Sequence, residues 1–380
     1  MPGLLTEITE ITTALGTLGG DLDGSLRRRP HALCNVPDAT WARIVTAHEG
    51  GEHVGSFQAA FENGAEFLAA RDGLRGRRPV LVEWRGPNRP PGDDAIPADL
   101  RIDHVYLVSC KYLSRVLVNS GPTRLFDRLL AGEGRSGAHW FLSTAPDEYR
   151  AFYALAREAV GGAGLPSDPS RLTVEDQRLL RAALAARSLP EGLQPAWSAL
   201  CGEVARVSAE RWRAALTGPR ERLHLLWRLL RVSNATYFVL GADKGAHLRL
   251  RVSSTWDWNH RFDLRSLAVA ARPAGQPEVA WRAEVRDRAS GEVREIAGHV
   301  EVRWSHGRFV GTPEAKVYLD TLHAGVPGYE PLGPAAPRRR AAGGAVDPSQ
   351  APLWSAGEPG EPGGAGGLPP APRRARTGDG

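Results

Sequence analysis

Lysine is scarce in this chain of 380 residues. Lys111, Lys244 and Lys316 are its three lysines, so 45 of its 48 basic residues are arginine. Lys111 lies inside the run HVYLVSCKYL, where the planar fork of arginine would fit poorly. A lysine within a strand is costly to bury unless a negative group lies beside it. The shortage of lysine therefore directs attention to Lys111 and to the acids near it.

Cysteine is also rare, and long apolar runs are missing. Cys34, Cys110 and Cys201 are far apart and odd in number, which argues against a disulfide framework or a zinc cluster. No apolar run reaches the roughly 18 residues of a membrane helix, and the N-terminal segment lacks the basic and apolar regions of a signal peptide. We therefore expect a cytoplasmic protein with no membrane partner.

Motifs of several enzyme classes are absent as well. The chain has no P-loop, no G-x-S-x-G and no H-E-x-x-H. Its net charge of +5 and its pI of about 9.4 are compatible with a polyanionic partner, but they are too mild to require one. Its 42% hydrophobic content is ordinary for a globular protein with a sizeable core.

Periodicity divides the chain into five predicted segments. Phe57, Phe61, Ala65 and Leu68 form one apolar stripe, which predicts a helix over residues 56–72. The segments are an N-terminal helical segment over 1–55, an α/β domain over 56–160, a helical segment over 170–231, a β-rich domain over 232–330 and a disordered tail over 331–380. The predicted class is therefore mixed α/β, followed by helices and then by β structure.

The α/β domain has a characteristic order of elements. Its helix is followed by predicted strands over Val80–Trp84, Asp99–Ile102 and Val105–Leu113, then by a helix that begins at Pro122. The run His139–Ser143 predicts a further strand, and Pro146–Val160 a further helix. The order α-β-β-β-α-β-α indicates a mixed sheet covered by helices.

Asp99 and Lys111 stand at a spacing that suggests a catalytic site. Nine residues separate Asp99 from the triplet Ser109-Cys110-Lys111. Because residues two apart in a strand point to the same face, Ser109 and Lys111 project together. A bend after Asp103 would bring Asp99 back alongside them. A carboxylate and a lysine would then share one face of the sheet.

A second carboxylate would complete a metal-dependent hydrolytic site. Glu62 and Glu66 lie four residues apart on one flank of the predicted helix over 56–72. With Asp99 they would bind Mg²⁺ or Mn²⁺ through hard oxygens. A partly desolvated Lys111 would orient or deprotonate the attacking water. Solvent exposure of both glutamates, and of Lys111 on an edge strand, is the competing interpretation.

Over about residues 56–160 the pattern resembles the PD-(D/E)XK nuclease superfamily. Pro97-Ala98-Asp99 corresponds to the Pro-Asp of that family, and Ser109-Cys110-Lys111 to its acid-X-Lys. The resemblance implies a restriction-endonuclease-like core and Mg²⁺- or Mn²⁺-dependent hydrolysis of DNA, of the restriction or phage-defence type. It assigns catalysis to Asp99, Lys111, Ser109 and Glu62, and metal binding to Asp99, Glu62 and Glu66.

Ser109 departs from the family pattern because it replaces the acid. The missing carboxylate would come from another residue, and the sequence offers Glu62, Glu66, Glu83, Asp103 and Asp127. If none of them reaches the metal, the protein is a non-catalytic binder of nucleic acid or protein with a degenerate nuclease fold. The sequence leaves the oligomeric state open, a homodimer included.

The β-rich segment interleaves aromatic and basic residues. Such side chains can stack on bases and contact phosphates. The predicted nucleic-acid-binding residues are Trp256, Trp258, His260, Arg261, Arg303, Trp304, His306 and Arg308. The alternative is that the tryptophans belong to the core and the arginines to the solvent face. Arginine clusters at 338–340 and 373–376 would add nonspecific attraction to nucleic acid.

Overall fold

A computed structural model describes residues 3–86, 96–112, 116–127, 139–162, 164–184, 189–243, 246–272 and 275–334. These residues belong to one unit of the chain, which spans 1–336. The helices are α1 (Leu4–Leu18), α2 (Leu22–Arg28), α3 (Asp38–Glu49), α4 (Val54–Ala69), α5 (Pro122–Phe126), α6 (Trp140–Thr144), α7 (Pro146–Ala159), α8 (Val174–Ala183), α9 (Gln194–Ala215), α10 (Pro219–Leu229) and α11 (Thr255–Arg261). No helix in the described ranges is long and apolar enough to cross a membrane.

Two sheets complete the fold. The strands are β1 (Leu33–Cys34), β2 (Val82–Trp84), β3 (Leu100–Ile102), β4 (Tyr106–Lys111), β5 (Val116–Ser120), β6 (Tyr237–Asp243), β7 (Ala246–Val252), β8 (Phe262–Ala271), β9 (Glu278–Asp287), β10 (Val293–Arg303), β11 (Glu314–Leu319) and β12 (Tyr329–Pro331). A seven-stranded sheet has the order β1-β2-β3-β4-β6-β7-β12, and a five-stranded sheet has the order β5-β11-β10-β9-β8.

Each sheet combines strands that are distant in sequence. In the seven-stranded sheet, β2, β3 and β4 are antiparallel neighbours, and β6 joins β4 in parallel. In the five-stranded sheet all neighbours are antiparallel, and β5 pairs with β11. The predicted α/β and β-rich segments therefore exchange strands, since β5 lies in the C-terminal sheet and β6 in the N-terminal one.

Helices α1 and α4 cross at two glycines. A Cβ atom at Gly16 would lie 2.2 Å from the carbonyl oxygen of Phe61. A Cβ atom at Gly64 would lie 2.1 Å from the carbonyl oxygen of Thr13. Glycine alone allows this approach, because it has no side chain to separate the two backbones. The crossing holds α1 beside α4, and α1 also contacts β2 and β4.

The seven-stranded sheet separates two apolar cores. Strand β6 alternates, so that Phe238 and Leu240 enter the core under α1, α3 and α4, while Tyr237 and Val239 enter the other core. That second core also contains the aromatic side chains of α6, α7 and α9 and the inner face of the five-stranded sheet. The sheet thus forms the middle layer of the molecule.

The structure confirms the mixed α/β class, the helix near residues 56–72, the helices between 170 and 231 and the β-rich C-terminal part. The predicted strand over His139–Ser143 is wrong, because Trp140–Thr144 is helix α6. Trp140, Phe141 and Thr144 are buried there at helical spacing. A short apolar run does not by itself distinguish a buried strand from a buried helical turn. Of the predicted tail over 331–380, residues 331–334 are described and Pro331 ends strand β12, whereas the rest lies outside the described residues.

The run from Trp256 to Phe262 is also not a continuous strand. Helix α11 occupies most of it, and Ser254 caps the helix. The Ser254 hydroxyl accepts a hydrogen bond from the N–H of Asp257, and the Asp257 carboxylate accepts one from the N–H of Ser254. This capping box was visible in the sequence as S-x-x-D. It changes which of the predicted nucleic-acid-binding residues share a face.

Candidate active site at the end of the seven-stranded sheet

A tight hairpin returns Asp99 to the strand that carries Lys111. The turn between β3 and β4 has Asp103 and His104 at its centre, with φ angles of 47° and 59°. Two successive left-handed residues are typical of a type I′ turn, which matches the twist of paired strands. The N–H of Asp99 donates to the carbonyl oxygen of Val108 at 2.8 Å. The bend that the sequence predicts after Asp103 is therefore present.

The Asp99 carboxylate is bonded directly to β4. Its Oδ2 accepts a hydrogen bond from the Ser109 hydroxyl at 3.2 Å and another from the N–H of Cys110 at 2.7 Å. Ser109 is fully buried, and Lys111 is half-buried two residues further along the strand. The structure thus places Asp99, Ser109 and Lys111 at one end of β4, as the spacing predicts.

Glu10 of α1 approaches the same strand, and the sequence analysis missed it. Its side chain is buried, and its Oε2 accepts a hydrogen bond from the indole N–H of Trp84 at 2.7 Å. Burial raises the pKa of the Cys110 thiol well above its ordinary value, and the negative charges of Asp99 and Glu10 raise it further. The thiol therefore lies within electrostatic reach of both carboxylates. The signal in the sequence was the run TEITEITT, which puts two glutamates into a helix whose other residues are uncharged.

Glu62 and Glu66 face β7. A carboxylate oxygen of Glu62 lies 3.6 Å from His247 Nε2, and one of Glu66 lies 3.8 Å from Arg249 Nη1. Both glutamates are at least two-fifths exposed. The assignment of Glu62 as catalytic residue and of both as metal ligands stays a prediction.

The other acids offered by the sequence are engaged by arginine or by backbone. Glu83 accepts two hydrogen bonds from Arg101. These bonds and the nearby cations outweigh desolvation and hold the pKa of Glu83 below its ordinary value. Asp103 binds Arg77 and the N–H groups of Val80 and Leu81, and Asp127 binds Arg211. These contacts give each acid a structural role.

A buried polar network supports the end of β4. The fully buried Asn63 donates to the Tyr112 hydroxyl at 3.0 Å and to the carbonyl oxygen of Gly241 at 2.8 Å. Its Oδ1 accepts from Arg249 at 2.7 Å. The Tyr112 hydroxyl also bonds Thr13 of α1, and burial raises the pKa of this phenol. This network connects α1, α4, β6 and β7 next to Lys111, which gives the site a rigid support.

The predicted nucleic-acid-binding residues of α11 divide by exposure. Trp256 is 73% exposed and stacks on His260 with ring centroids 5.6 Å apart. Trp258 is buried, and its indole N–H donates to the carbonyl oxygen of Pro327. Arg261 forms ion pairs with Asp287 and Glu330. Trp256 and His260 thus remain accessible, whereas Trp258 belongs to the core.

The other four predicted residues line one pocket of about 540 Å³. They are Arg303, Trp304, His306 and Arg308. The Arg308 guanidinium lies over the Trp197 ring at 5.7 Å, and burial lowers the pKa of this arginine. Arg303 is paired with Glu301 at 3.2 Å, and the Trp304 side chain is mostly buried. The pocket is basic, with an aromatic wall.

A separate group of metal-ligating atoms lies on the five-stranded sheet. One ligand atom each of Glu278, His299 and Glu301 lies within 4.8 Å of the others. Arg272 binds Glu278 at 2.8 Å, and Arg303 binds Glu301. Nothing identifies a metal for this triad, and the two arginines already neutralise its carboxylates. It does not include Asp99.

Neither a scan of protein-family models nor searches of curated proteins and solved structures finds a match to this chain. The functional argument therefore depends on the geometry around Asp99 and Lys111. That geometry consists of a hairpin, a carboxylate bonded to β4, a buried glutamate on α1 and a lysine at the end of the strand.

Proposed function

We propose that the chain is a metal-dependent endonuclease that hydrolyses phosphodiester bonds in DNA, of the restriction or phage-defence type. The observation that carries this proposal is the bond between the Asp99 carboxylate and β4, two residues before Lys111. A carboxylate and a lysine fixed at one strand end supply the two charges that phosphoryl transfer requires.

The arrangement of elements supports the proposal. Helix α4 precedes the antiparallel strands β2, β3 and β4, and β6 then adds in parallel beside β4. Strand β5, which joins the five-stranded sheet, and the helices from α5 to α10 stand between β4 and β6 in the chain. Within the seven-stranded sheet, the order helix, three strands, helices, strand is the one that the PD-(D/E)XK resemblance implies, with β6 in the place that the sequence analysis gave to residues 139–143.

The carboxylates near β4 fit a hard divalent cation. Asp99 is bonded to β4 and Glu10 is buried on α1, which contacts β4, and carboxylate oxygens are the donors that Mg²⁺ and Mn²⁺ prefer. In this proposal Asp99 and Glu10 hold the cation, and Glu10 takes the role that the sequence analysis gave to Glu62. When bound, such a cation polarises a phosphate oxygen and makes a water molecule more acidic.

Lys111 has the second role in the reaction. Its ammonium group, half-buried at the end of β4, orients the attacking water and offsets the negative charge that develops on the phosphate. Asn63 and Tyr112 hold the adjacent backbone through their hydrogen bonds, so that Lys111 is presented by a fixed strand end. Ser109 contributes by orienting Asp99 through its hydroxyl.

One observation favours the second function, a non-catalytic nucleic-acid-binding protein. Ser109 occupies the position where the family pattern has an acid, and its hydroxyl donates to Asp99. A hydroxyl supplies no negative charge, so the cation would depend on Glu10 for its second carboxylate. Measuring DNA cleavage by a Glu10 variant therefore distinguishes the two functions.

A plasmid assay tests the proposal. Wild-type protein is incubated with supercoiled DNA and Mg²⁺ or Mn²⁺, beside the variants Asp99→Asn, Lys111→Met and Glu10→Gln. We expect nicking by the wild type and losses of about 100-fold or more in the three variants, the usual cost of removing a group that stabilises charge. Glu62→Gln and Glu295→Gln serve as matched carboxylate controls.

The controls also discriminate between the two glutamates. If Glu62→Gln loses nicking and Glu10→Gln does not, the metal set of the sequence analysis is right and ours is wrong. Equal nicking by wild type and by Asp99→Asn would identify a contaminating nuclease and overturn the assignment of the site. No nicking by folded wild type with either cation would favour the non-catalytic function.

A further inference from the structure

Two adjoining pockets form a basic groove that begins at Lys111. The first, of about 320 Å³, is lined by Lys111, Lys316 and Arg231 among others. The second, of about 610 Å³, is lined by Arg124, Arg228 and again Arg231. Asn119 also belongs to both pockets, so the two share a wall. We call these five cationic residues the basic groove.

The groove gathers residues from four distant elements. Lys111 ends β4, Arg124 lies in α5, Arg228 lies in α10 and Lys316 lies in β11. Lys316 is the direct partner of Asn119 in the ladder between β11 and β5, so both side chains project to the same face. Two of the three lysines of the chain thus meet in one pocket.

Arg231 occupies a backbone position that favours glycine. It follows the C-cap of α10 with a φ angle of 56°. Its N–H donates to the carbonyl oxygen of Arg228, and the N–H of Val232 donates to that of Trp227, which is the Schellman pattern of a helix end. Glycine is usual at this position because side chains strain the left-handed conformation. Arg231 thus extends a charged side chain from a backbone position where helices usually have glycine.

The groove brings like charges together. Burial lowers the pKa of Arg228, and the positive charges of Arg124 and Arg231 lower it further. Among the described residues Arg228 has no carboxylate within ion-pair distance, and one of its guanidinium nitrogens donates to the carbonyl oxygen of Arg124. Lys316 has Glu314 at 3.6 Å. An anion bound near Arg228 would offset the repulsion that Arg228 meets from Arg124 and Arg231.

We infer that the basic groove binds the phosphodiester backbone of a nucleic acid strand and leads it to Lys111. Cations in both pockets suit a chain of phosphates better than a single small anion. The second pocket is also lined by His224 and Trp227, whose rings stack at 5.7 Å and supply an aromatic surface for a base. The inference rests on the proposed function for the chemistry at Lys111, while binding in the groove is measurable without it.

Binding of a labelled oligonucleotide tests the groove. Asp99→Asn protein in EDTA is titrated into a fluorescein-labelled DNA, once as a single strand and once as a duplex, and anisotropy is recorded. In this background we expect Lys316→Gln and Arg228→Gln to weaken binding about tenfold each in at least one of the two arms. Arg282→Gln is the matched control, because Arg282 is exposed on β9 and paired with Glu295 at 3.2 Å. We expect it to bind within twofold of its parent.

The outcomes test nucleic acid binding in the groove separately from catalysis at Lys111. If both groove variants keep their fold by circular dichroism and bind as tightly as the parent, the groove is not the binding surface. A loss of the same size in Arg282→Gln overturns the inference too, because a general charge effect would then explain it. Groove-dependent binding without plasmid nicking would leave the groove in place and remove the nuclease.

Discussion

Arg228 of the basic groove and the arginines of the five-stranded sheet have different charged neighbours. On strands β8–β10 and the loops next to them, five arginines lie 2.8 to 3.2 Å from a carboxylate. The pairs are Arg272–Glu278, Arg282–Glu295, Arg286–Asp263, Arg294–Glu292 and Arg303–Glu301. In the groove, Arg228 has arginines as its charged neighbours, and they lower its pKa.

This difference shows that the pairing of an arginine is more informative than its presence. Arginine supplies nearly all the positive charge of the chain, so a count of arginines marks no surface. Exposed ion pairs contribute about 0–1 kcal/mol each and present little net charge to a ligand. A cluster of cations with few acids keeps its field and attracts polyanions. We therefore expect the groove, and not the ion-paired surface of the sheet, to bind nucleic acid.

The largest effect we expect is on the salt dependence of nucleic acid binding. For duplex DNA, the logarithm of the binding constant falls with the logarithm of salt concentration by about 0.9 per neutralised phosphate. The double variant Arg228→Gln/Lys316→Gln should bind about 100-fold more weakly at low salt, and its slope should be smaller by about 2. Anisotropy titrations between about 50 and 200 mM salt give the slope.

The matched double variant on the sheet is Arg282→Gln/Arg294→Gln, which removes the same charge from paired positions. Its slope should equal that of the parent protein. A similar fall in slope for both double variants would mean that net charge alone drives binding. The distinction between groove and sheet would then be lost.

The next largest effect concerns the stability of the fold and an ion-paired residue of the five-stranded sheet. Asp287 is buried at the end of β9, where it accepts hydrogen bonds from the N–H groups of Ala289 and Ser290 and from Arg261. Desolvation opposes ionisation, but these bonds outweigh it and hold the pKa of Asp287 below its ordinary value of 3.8. Asp287→Asn should lower the free energy of unfolding by about 2 kcal/mol at pH 7, because it weakens charged hydrogen bonds.

The direction of the Asp287 pKa shift also predicts how the stability difference between wild type and Asp287→Asn changes with pH. A carboxyl group whose folded pKa is depressed stabilises the fold above its unfolded pKa and loses that contribution as the pH falls through the folded pKa. The gap between wild type and Asp287→Asn should therefore shrink below about pH 4, where the unfolded carboxyl begins to protonate. Urea unfolding at several pH values measures it. A gap that stays constant down to pH 2 would contradict the assigned pKa shift.

The local geometry of the candidate site was predictable from the sequence. The spacing between Asp99 and Lys111 predicted that a bend would bring them to the same strand end, and the hairpin through Asp103 and His104 does so. Strand periodicity and turn chemistry act over a few residues, so a sequence pattern contains them. The helix over Trp140–Thr144 shows the limit, because a run of five residues is too short for its periodicity to distinguish helix from strand.

The partners from distant parts of the chain were not predictable. Glu10 lies on α1, which crosses α4 closely at Gly16 and also contacts β4, and nothing near Asp99 in the sequence indicates that packing. The groove depends on β5 joining the sheet of β11, which brings Lys316 to the pocket of Lys111. Such contacts are set by tertiary packing, and one sequence does not contain a local signal for them.

The smallest effect we expect distinguishes the backbone strain at Arg231 from the contribution of its guanidinium to binding. Arg231→Gly and Arg231→Ala both remove the guanidinium, so both should weaken oligonucleotide binding equally. They differ in backbone, because glycine accepts the left-handed φ of 56° and alanine does not. The glycine variant should therefore be more stable than the alanine variant by about 1 kcal/mol in urea unfolding. Equal stability of the two would mean that this helix end relaxes and that its backbone stores no strain, whereas unchanged binding in both would exclude Arg231 from the groove.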